Sequence, residues 1–194
     1  MNNEEEKNNV IYKDVDTKKF DISYYPYYIF NYVHSNIRSL NIFDNRFEAS
    51  EIINGLYVGA IDSSYDKNEL IRLGITHIIS VIPGHIPPFP NDFKYMIINA
   101  MDDDNTKLYT VFDDSNKFID DAFENKGNVL IHCLMGRSRS STIASAYLIH
   151  AFGMNVHEII SLMIDKRNII QPNDYFMKQL NKYYNKKYHE HNIL

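Results

Sequence analysis

The central segment of this chain is Val129-Leu130-Ile131-His132-Cys133-Leu134-Met135-Gly136-Arg137-Ser138-Arg139-Ser140-Ser141. Its first three residues are a short apolar run typical of a buried strand, and residues 142–152 are an almost wholly apolar run typical of a buried helix. A strand that turns directly into a helix aims backbone N–H groups and the positive end of the helix dipole at one place. The segment therefore predicts an anion-binding loop.

The side chains of this loop point to a particular chemistry. Cys133, the only cysteine of the chain, ends the strand, and Arg139 begins the helix. Amides, a helix N-terminus and a guanidinium all favour the thiolate form of a thiol. Gly136 gives the conformational freedom of a tight turn, and Arg139 can hold two oxygens of a phosphate. These are the parts of a cysteine-based phosphatase; the alternative is a buried structural cysteine beside an unrelated arginine.

The pattern His-Cys-x-x-Gly-x-x-Arg-Ser, which runs here from His132 to Ser140, resembles the signature loop of the protein tyrosine phosphatase superfamily. The full sequence of this loop is most similar to the signature loop of the dual-specificity branch of the superfamily. Three further segments resemble the same branch: residues 53–59, residues 73–81, and residues 169–173 with Phe176 and Leu180. The resemblance covers about residues 48–184 and implies a dual-specificity protein phosphatase.

The resemblance also implies roles for the loop residues. Cys133 would attack phosphorus as a thiolate, and Ser140 would hydrogen-bond the sulfur and help it to leave. His132 would order the loop and lower the thiol pKa, although a buried histidine with satisfied hydrogen bonds is a compatible interpretation. The phosphate would be held by Arg139 and by the backbone N–H groups of Leu134, Met135, Gly136, Arg137, Ser138 and Arg139. No metal ion or cofactor is needed.

The general acid of the family is an aspartate followed by an apolar residue six positions on and an aromatic residue ten positions on. Leu108 and Phe112 stand in that relation to Asp102, so Asp102 is the predicted proton donor. We interpret the adjacent Asp103 and Asp104 as a solvated acidic turn. Asn173 matches a family asparagine, but we favour a helix N-cap over a catalytic role.

The pattern of the remaining chain predicts an α/β fold with a central, mostly parallel, five-stranded sheet that has helices on both faces. Asn54 and Gly55 predict a hairpin between two short strands. The other expected elements are a helix at 64–73, strands at 75–81 and 93–98, a helix at 108–125, a helix begun by a capping box at Asn155 and Glu158, and a last helix from Pro172 to about Tyr184.

Length and composition predict one globular domain with an extension. The chain has 194 residues, of which 44% are hydrophobic. Residues 48–185 are assigned to the catalytic domain, and residues 186–194 to a short frayed tail. Residues 1–47 would be an N-terminal extension that is disordered up to about residue 19 and tyrosine-rich from 20 to 47. The tyrosine-rich part could pack on the outside of the domain, or it could dock a partner or form a dimer.

Several function classes are disfavoured by composition. The net charge of -5 does not suit a nucleic-acid-binding protein. A single cysteine excludes an intramolecular disulfide and a cysteine-rich zinc site. No apolar run approaches the roughly 20 residues of a membrane helix, so stable membrane insertion is not expected. These features predict a protein of the cytoplasm or of the nucleus.

The predicted activity is hydrolysis of phosphotyrosine and of phosphoserine or phosphothreonine in proteins through a phosphocysteine intermediate, so the expected partners are phosphoprotein substrates. Two alternatives stay open. Arg137 adds a second positive charge to the loop and could select phosphoinositides or another non-protein phosphate, although Leu134 and Met135 stand where lipid-directed relatives tend to carry a lysine. A phosphobinding scaffold without catalysis is the third hypothesis.

Overall fold

The computed structural model describes residues 9–15, 26, 29, 33 and 47–189. Within these residues the fold is built on a six-stranded sheet with the order β1-β5-β4-β6-β3-β2. Every neighbouring pair is parallel except β2 and β3, which form an antiparallel hairpin. The strands are β1 (Val10–Asp14), β2 (Ala49–Ile53), β3 (Leu56–Gly59), β4 (Ile75–Ser80), β5 (Lys94–Asn99) and β6 (Asn128–His132).

The sheet has one strand more than the five that the sequence predicted, because part of the expected disordered arm is ordered. Residues Val10–Asp14 pair in parallel with β5, and Lys13 forms a 2.6 Å ion pair with Asp114. Val15 is buried in the main core. Polar and charged residues surround this short apolar segment, so its strand depends on pairing with a partner about 85 residues away.

Within residues 47–189 the chain forms five α-helices: α1 (Lys67–Arg72), α2 (Phe112–Glu124), α3 (Arg139–Phe152), α4 (Val156–Lys166) and α5 (Asp174–Tyr188). The helix predicted at 64–73 divides into a 3-10 helix, Ile61–Tyr65, and α1, because the Asp66 side chain caps α1 by accepting from Glu69 N–H at 3.0 Å. Another 3-10 helix, Leu108–Val111, precedes α2.

The last helix continues beyond the predicted end near Tyr184 and includes three residues of the expected frayed tail. Tyr188 explains this extension, since its hydroxyl donates to the carbonyl of Ile149 at 2.9 Å and so ties the end of α5 to α3. The hairpin at Gly55 and the capping box of α4 are confirmed: Gly55 has a φ of 80°, and Asn155 and Glu158 make both reciprocal hydrogen bonds.

The two faces of the sheet are covered unequally. Helices α2 to α5 bury the larger hydrophobic core against one face, whereas α1 and the residues around Phe89 and Phe93 cover the other with a smaller cluster. Side chains of β6 alternate between the two clusters: Val129 and Ile131 face the larger one and Leu130 the smaller. Strand β6 is thus a central strand whose C-terminal end is held on both sides.

The tyrosine-rich segment 20–47, with its predicted docking or packing role, lies outside the described residues apart from Pro26, Ile29, Val33 and Phe47. Across the described part of the chain, no helix has both the length and the apolar character needed to cross a bilayer.

Candidate active site

The loop that joins β6 to α3 has every carbonyl from Leu134 to Ser138 turned outward and hydrogen-bonded to protein. The Leu134 carbonyl accepts from Ile61 N–H at 3.3 Å, and the Ser138 carbonyl accepts from Thr142 N–H at 2.9 Å. The carbonyls between them accept from the side chains or backbone of Arg167, Ser141 and Gln171. In a planar trans peptide the next N–H points the opposite way. The N–H groups of the loop therefore converge on its centre, as an anion site requires.

The Cys133 thiol lies at this centre and is almost completely buried. Burial raises its pKa, but the Arg139 charge, the Ser140 hydroxyl and the backbone N–H groups of Ser140 and Arg137 lower it more, so that the net pKa falls below the usual value. Ser140 Oγ donates to Cys133 Sγ at 3.3 Å, which confirms the predicted contact. The surroundings favour the thiolate that a nucleophilic cysteine needs.

Arg139 is also buried and aims its guanidinium into the loop. Its Nη1 donates to the carbonyl of Ala100, directly after β5, at 3.1 Å. Its Nε has no hydrogen-bond acceptor among the described residues, and the nearest carboxylate oxygen, Oδ2 of Asp102, is 3.7 Å away. One N–H of the guanidinium is thus anchored to the residue that follows β5, and another remains available to an oxyanion.

Asp102 is held beside this arginine by two hydrogen bonds to one of its oxygens. Ser138 Oγ donates to Asp102 Oδ1 at 2.8 Å, and Asn173 Nδ2 donates to the same oxygen at 2.9 Å. The other oxygen, Oδ2, faces Arg139. The structure thus brings the predicted proton donor to the predicted phosphate-binding side chain, although the two are 37 residues apart.

Asn173 and Ser138 do more than the sequence indicated. Asn173 is the predicted N-cap, since its Oδ1 accepts from Phe176 N–H at 2.8 Å, but its Nδ2 holds Asp102. Ser138 was assigned to phosphate through its backbone; its hydroxyl binds Asp102 and accepts from Asn173 N–H at 3.2 Å. Nothing in the spacing of these residues indicates the contacts.

Asp103 is not part of a freely solvated turn, contrary to the interpretation from the sequence. Its Oδ1 accepts from the N–H groups of Asn105 and Thr106 and from the Thr106 hydroxyl, each at 2.9 Å. This arrangement closes the loop that carries Asp102. An aspartate with a threonine three positions later is a known local turn signal, and it could have been recognised in the sequence.

His132 is fully buried, and its Nε2 lies 2.6 Å from the hydroxyl of Ser80 on β4. Burial first, and then the neighbouring His85, keep the pKa of His132 well below its usual value. Its imidazole is therefore neutral near pH 7 and supplies no positive charge to the thiolate. Ordering of the loop stays the prediction for this residue.

Of the remaining loop side chains, Leu134 packs against the main core, whereas Arg137 and Met135 face outward. The Arg137 guanidinium donates to Gln171 Oε1, and Gln171 N–H donates back to the Arg137 carbonyl at 3.0 Å. Met135 is 61% exposed. Gly136 has a φ of 65°, and a Cβ there would lie 2.5 Å from the backbone of Gly59, so this position has no room for a side chain. The loop packs directly on the end of β3.

Comparison with known proteins identifies the architecture around this loop. The family model described as "Dual specificity phosphatase, catalytic domain" matches residues 56–186. The chain belongs to the dual specificity phosphatase family. It is 38% identical over 136 residues to Dual specificity protein phosphatase 1B of Arabidopsis thaliana, an alignment that covers 70% of this chain and 81% of the relative.

Two solved structures with similar sequences have the same fold. The crystal structure of DUSP15 matches with a TM-score of 0.68 and 30% identity, covering 71% of this chain and 88% of that one. The human tyrosine phosphatase-like serine/threonine/tyrosine-interacting protein matches with a TM-score of 0.67 and 31% identity, covering 71% and 96%. The protein is thus a cysteine-based protein phosphatase with a protein tyrosine phosphatase-like α/β fold.

This dual specificity phosphatase contains one further buried charge beside the loop, which the sequence analysis missed. Arg167, directly after α4, donates from Nε to the Gly136 carbonyl at 2.9 Å and from Nη2 to the Glu48 carboxylate at 2.7 Å. A cation at the end of a helix is ordinarily explained by the helix dipole. The sequence therefore gave no reason to place Arg167 behind the active-site loop.

Proposed function

We propose that the protein hydrolyses phosphotyrosine and phosphoserine or phosphothreonine residues of proteins through a phosphocysteine intermediate. The observation that carries the proposal is the position of the Cys133 thiol. It lies in a cup of inward backbone N–H groups, with Ser140 on its sulfur and Arg139 beside it. Phosphoryl transfer depends mainly on positioning and on electrostatic stabilisation, and a rigid cup of this kind provides both.

In the first step the thiolate of Cys133 attacks phosphorus while the bond from phosphorus to the substrate oxygen breaks. Arg139 and the loop N–H groups hold the other three oxygens, whose charge is largest in the transition state. Asp102 gives its proton to the departing oxygen, since an alkoxide or a phenoxide leaves poorly without one. Its contact with Arg139 Nε, 3.7 Å away, supports this role because it brings the carboxyl to the edge of the cup.

In the second step the Asp102 carboxylate removes a proton from water, and the resulting oxygen attacks phosphorus as the bond from sulfur to phosphorus breaks. The products are inorganic phosphate and the regenerated thiolate. Ser140 Oγ donates to the departing sulfur from 3.3 Å and so stabilises the charge that develops there. The same groups therefore serve both halves of the reaction.

The surface next to the cup supports protein substrates over phosphoinositides. Met135 is 61% exposed and offers a polarisable thioether to an aromatic ring, which suits phosphotyrosine. Arg137, the residue that motivated the phosphoinositide hypothesis, directs its guanidinium to Gln171. Binding a lipid headgroup through Arg137 would have to replace that hydrogen bond.

The decisive experiment measures phosphate release from phosphotyrosyl peptides, phosphothreonyl peptides and phosphoinositides, in buffer treated with a chelator. We expect release from both peptide classes by the wild-type protein and none by Cys133→Ser. Asp102→Asn should reduce release strongly, whereas Asp104→Asn, an exposed neighbour in the same loop, is the matched control and should not. Release confined to phosphoinositides would refute the proposed substrates, and tight binding without release would favour a scaffold.

A further inference from the structure

Arg167 reaches the back of the phosphate-binding loop from the end of α4. Its side chain is only 6% exposed, and two of its three nitrogens bind polar partners. Nε donates to the carbonyl of Gly136 at 2.9 Å, and Nη2 lies 3.3 Å from the carbonyl of Met135. A planar guanidinium that binds two consecutive carbonyls fixes their direction more firmly than separate single donors would.

The consequence for the loop follows from peptide geometry. When the Gly136 carbonyl points back to Arg167, the N–H of Arg137 in the same peptide plane must point forward into the cup. That N–H is one of the groups that lower the pKa of the Cys133 thiol. The Met135 carbonyl places the N–H of Gly136 in the same way. Arg167 thus holds two peptide planes of the loop from behind, and the N–H group of one of them, that of Arg137, reaches the sulfur.

Glu48 is the ion-pair partner of Arg167, and it lies before the residues that the family model matches. Its Oε1 binds Arg167 Nη2 at 2.7 Å. Its carbonyl accepts from Ala60 N–H at 3.0 Å and from the Ser63 hydroxyl at 2.8 Å, so its backbone is fixed at the start of β2. A buried guanidinium needs a counter-charge, and Glu48 provides it.

We propose that Arg167, paired with Glu48, is a positioning residue that fixes the Gly136 and Arg137 N–H groups toward Cys133 and toward bound phosphate. The proposal rests on the nucleophilic role of Cys133 proposed above. It makes the junction between the N-terminal extension and the catalytic domain part of the support of the active site.

The test uses the absence of any other cysteine, because alkylation of the full chain by iodoacetamide then reports on Cys133 alone. The rate is measured from pH 4 to 9 and gives the thiol pKa without turnover. We expect Arg167→Met to raise that pKa by about one unit, the effect of losing roughly one net hydrogen bond to the thiolate. Arg167→Lys, which can reach only one carbonyl, should give a smaller rise, and Glu48→Gln a smaller one still.

Inorganic phosphate provides a second readout of the same N–H groups. It should protect Cys133 from alkylation in the wild type and about three- to tenfold less effectively in Arg167→Met, on the same hydrogen-bond scale. The matched control is Arg72→Met, which removes an exposed arginine paired with Glu69 on α1 and should leave both readouts unchanged.

Thermal unfolding of each variant shows whether it is folded. If Arg167→Met does not fold, the thiol pKa and the phosphate protection of Arg167→Lys and Glu48→Gln test the proposal instead. Folded variants whose alkylation profile and phosphate protection match the wild type would overturn the proposal and leave Arg167 a packing residue. Failure of the nucleophile proposal is recognised separately, since Cys133→Ser would then retain activity whatever the alkylation profiles show.

Discussion

The hydrogen bond from Asn173 to Asp102 allows a substitution that separates catalysis from stability. Asn173 caps α5 through Oδ1 and holds Asp102 through Nδ2 at 2.9 Å. Serine is as good an N-cap as asparagine but has no amide donor to reach the carboxyl. Asn173→Ser should therefore keep the helix and lose the contact to Asp102, whereas Asn173→Ala loses both.

The size of the effect follows from the surroundings of Asp102. A hydrogen bond to a charged group contributes about 1.5–3 kcal/mol when it is well buried. Because the Asp102 side chain is 35% exposed and Ser138 still holds the same oxygen, we expect about 1 kcal/mol here, which is roughly fivefold in kcat. Asn173→Ala should show the same loss of kcat and, in addition, about 1 kcal/mol less free energy of unfolding.

The assay compares kcat on a phosphotyrosyl peptide with kcat on an aryl phosphate whose leaving group is acidic enough to depart without a proton. We expect the loss in Asn173→Ser to shrink on the aryl phosphate and to vanish when Asp102→Asn is already present. An equal loss of kcat with and without Asp102 would refute the reasoning, because Asn173 would then act through some other group.

Three further predictions concern the loop itself. Ser140→Ala should raise the pKa of Cys133 in iodoacetamide titration and slow the second step, so that an aryl phosphate gives a burst of product; a linear time course would contradict this. His132, whose pKa is lowered by burial, takes up a proton near pH 6.5 only when unfolded, so the free energy of unfolding should fall below pH 6.5 by up to about 1.4 kcal/mol per pH unit. Urea unfolding at pH 7.5 and 5.5 should show a smaller pH effect in His132→Gln, and an equal one would exclude this histidine. Gly136→Ala places a Cβ 2.5 Å from the backbone of Gly59 and should cost about 2 kcal/mol or more in urea unfolding; a wild-type midpoint would show that the loop can move.

The parts that could be predicted from the sequence are those whose physical cause is local. The strand, turn and helix around Cys133 follow from one apolar run, one glycine and a second apolar run. The capping box of Asn155 and Glu158 is contained within four residues and is confirmed. The contact between Ser140 and Cys133 was implied by the family resemblance, and it is confirmed as well.

The parts that could not be predicted depend on residues that are distant along the chain. Strand β1 has too few apolar residues to be recognised alone, and it exists because β5 presents an edge to it. The position of Asp102 was indicated only by the family pattern, and the residues that hold it, Ser138 and Asn173, come from two other segments. The sequence around Arg167 is that of an ordinary helix C-terminus and does not indicate a contact with the active-site loop. Pairings of this kind leave no periodic signal in the chain.

The N-terminal boundary of the structured domain is therefore better defined by contacts in the structure than by the span of sequence similarity. The family model begins at Leu56, yet Glu48 binds Arg167 and β2 pairs with β3 before that point. Further upstream, residues Val10–Asp14 pair with β5, and Val15 is buried in the core. A truncated protein that begins at Glu48 keeps the ion pair between Glu48 and Arg167. It loses β1, however, and so exposes the edge of β5 to pairing with strands of other molecules. We expect that chain to retain the thiol pKa of the full protein and to aggregate at lower concentration in light scattering. If its thiol pKa rose instead, the extension would support the active site through contacts other than Glu48.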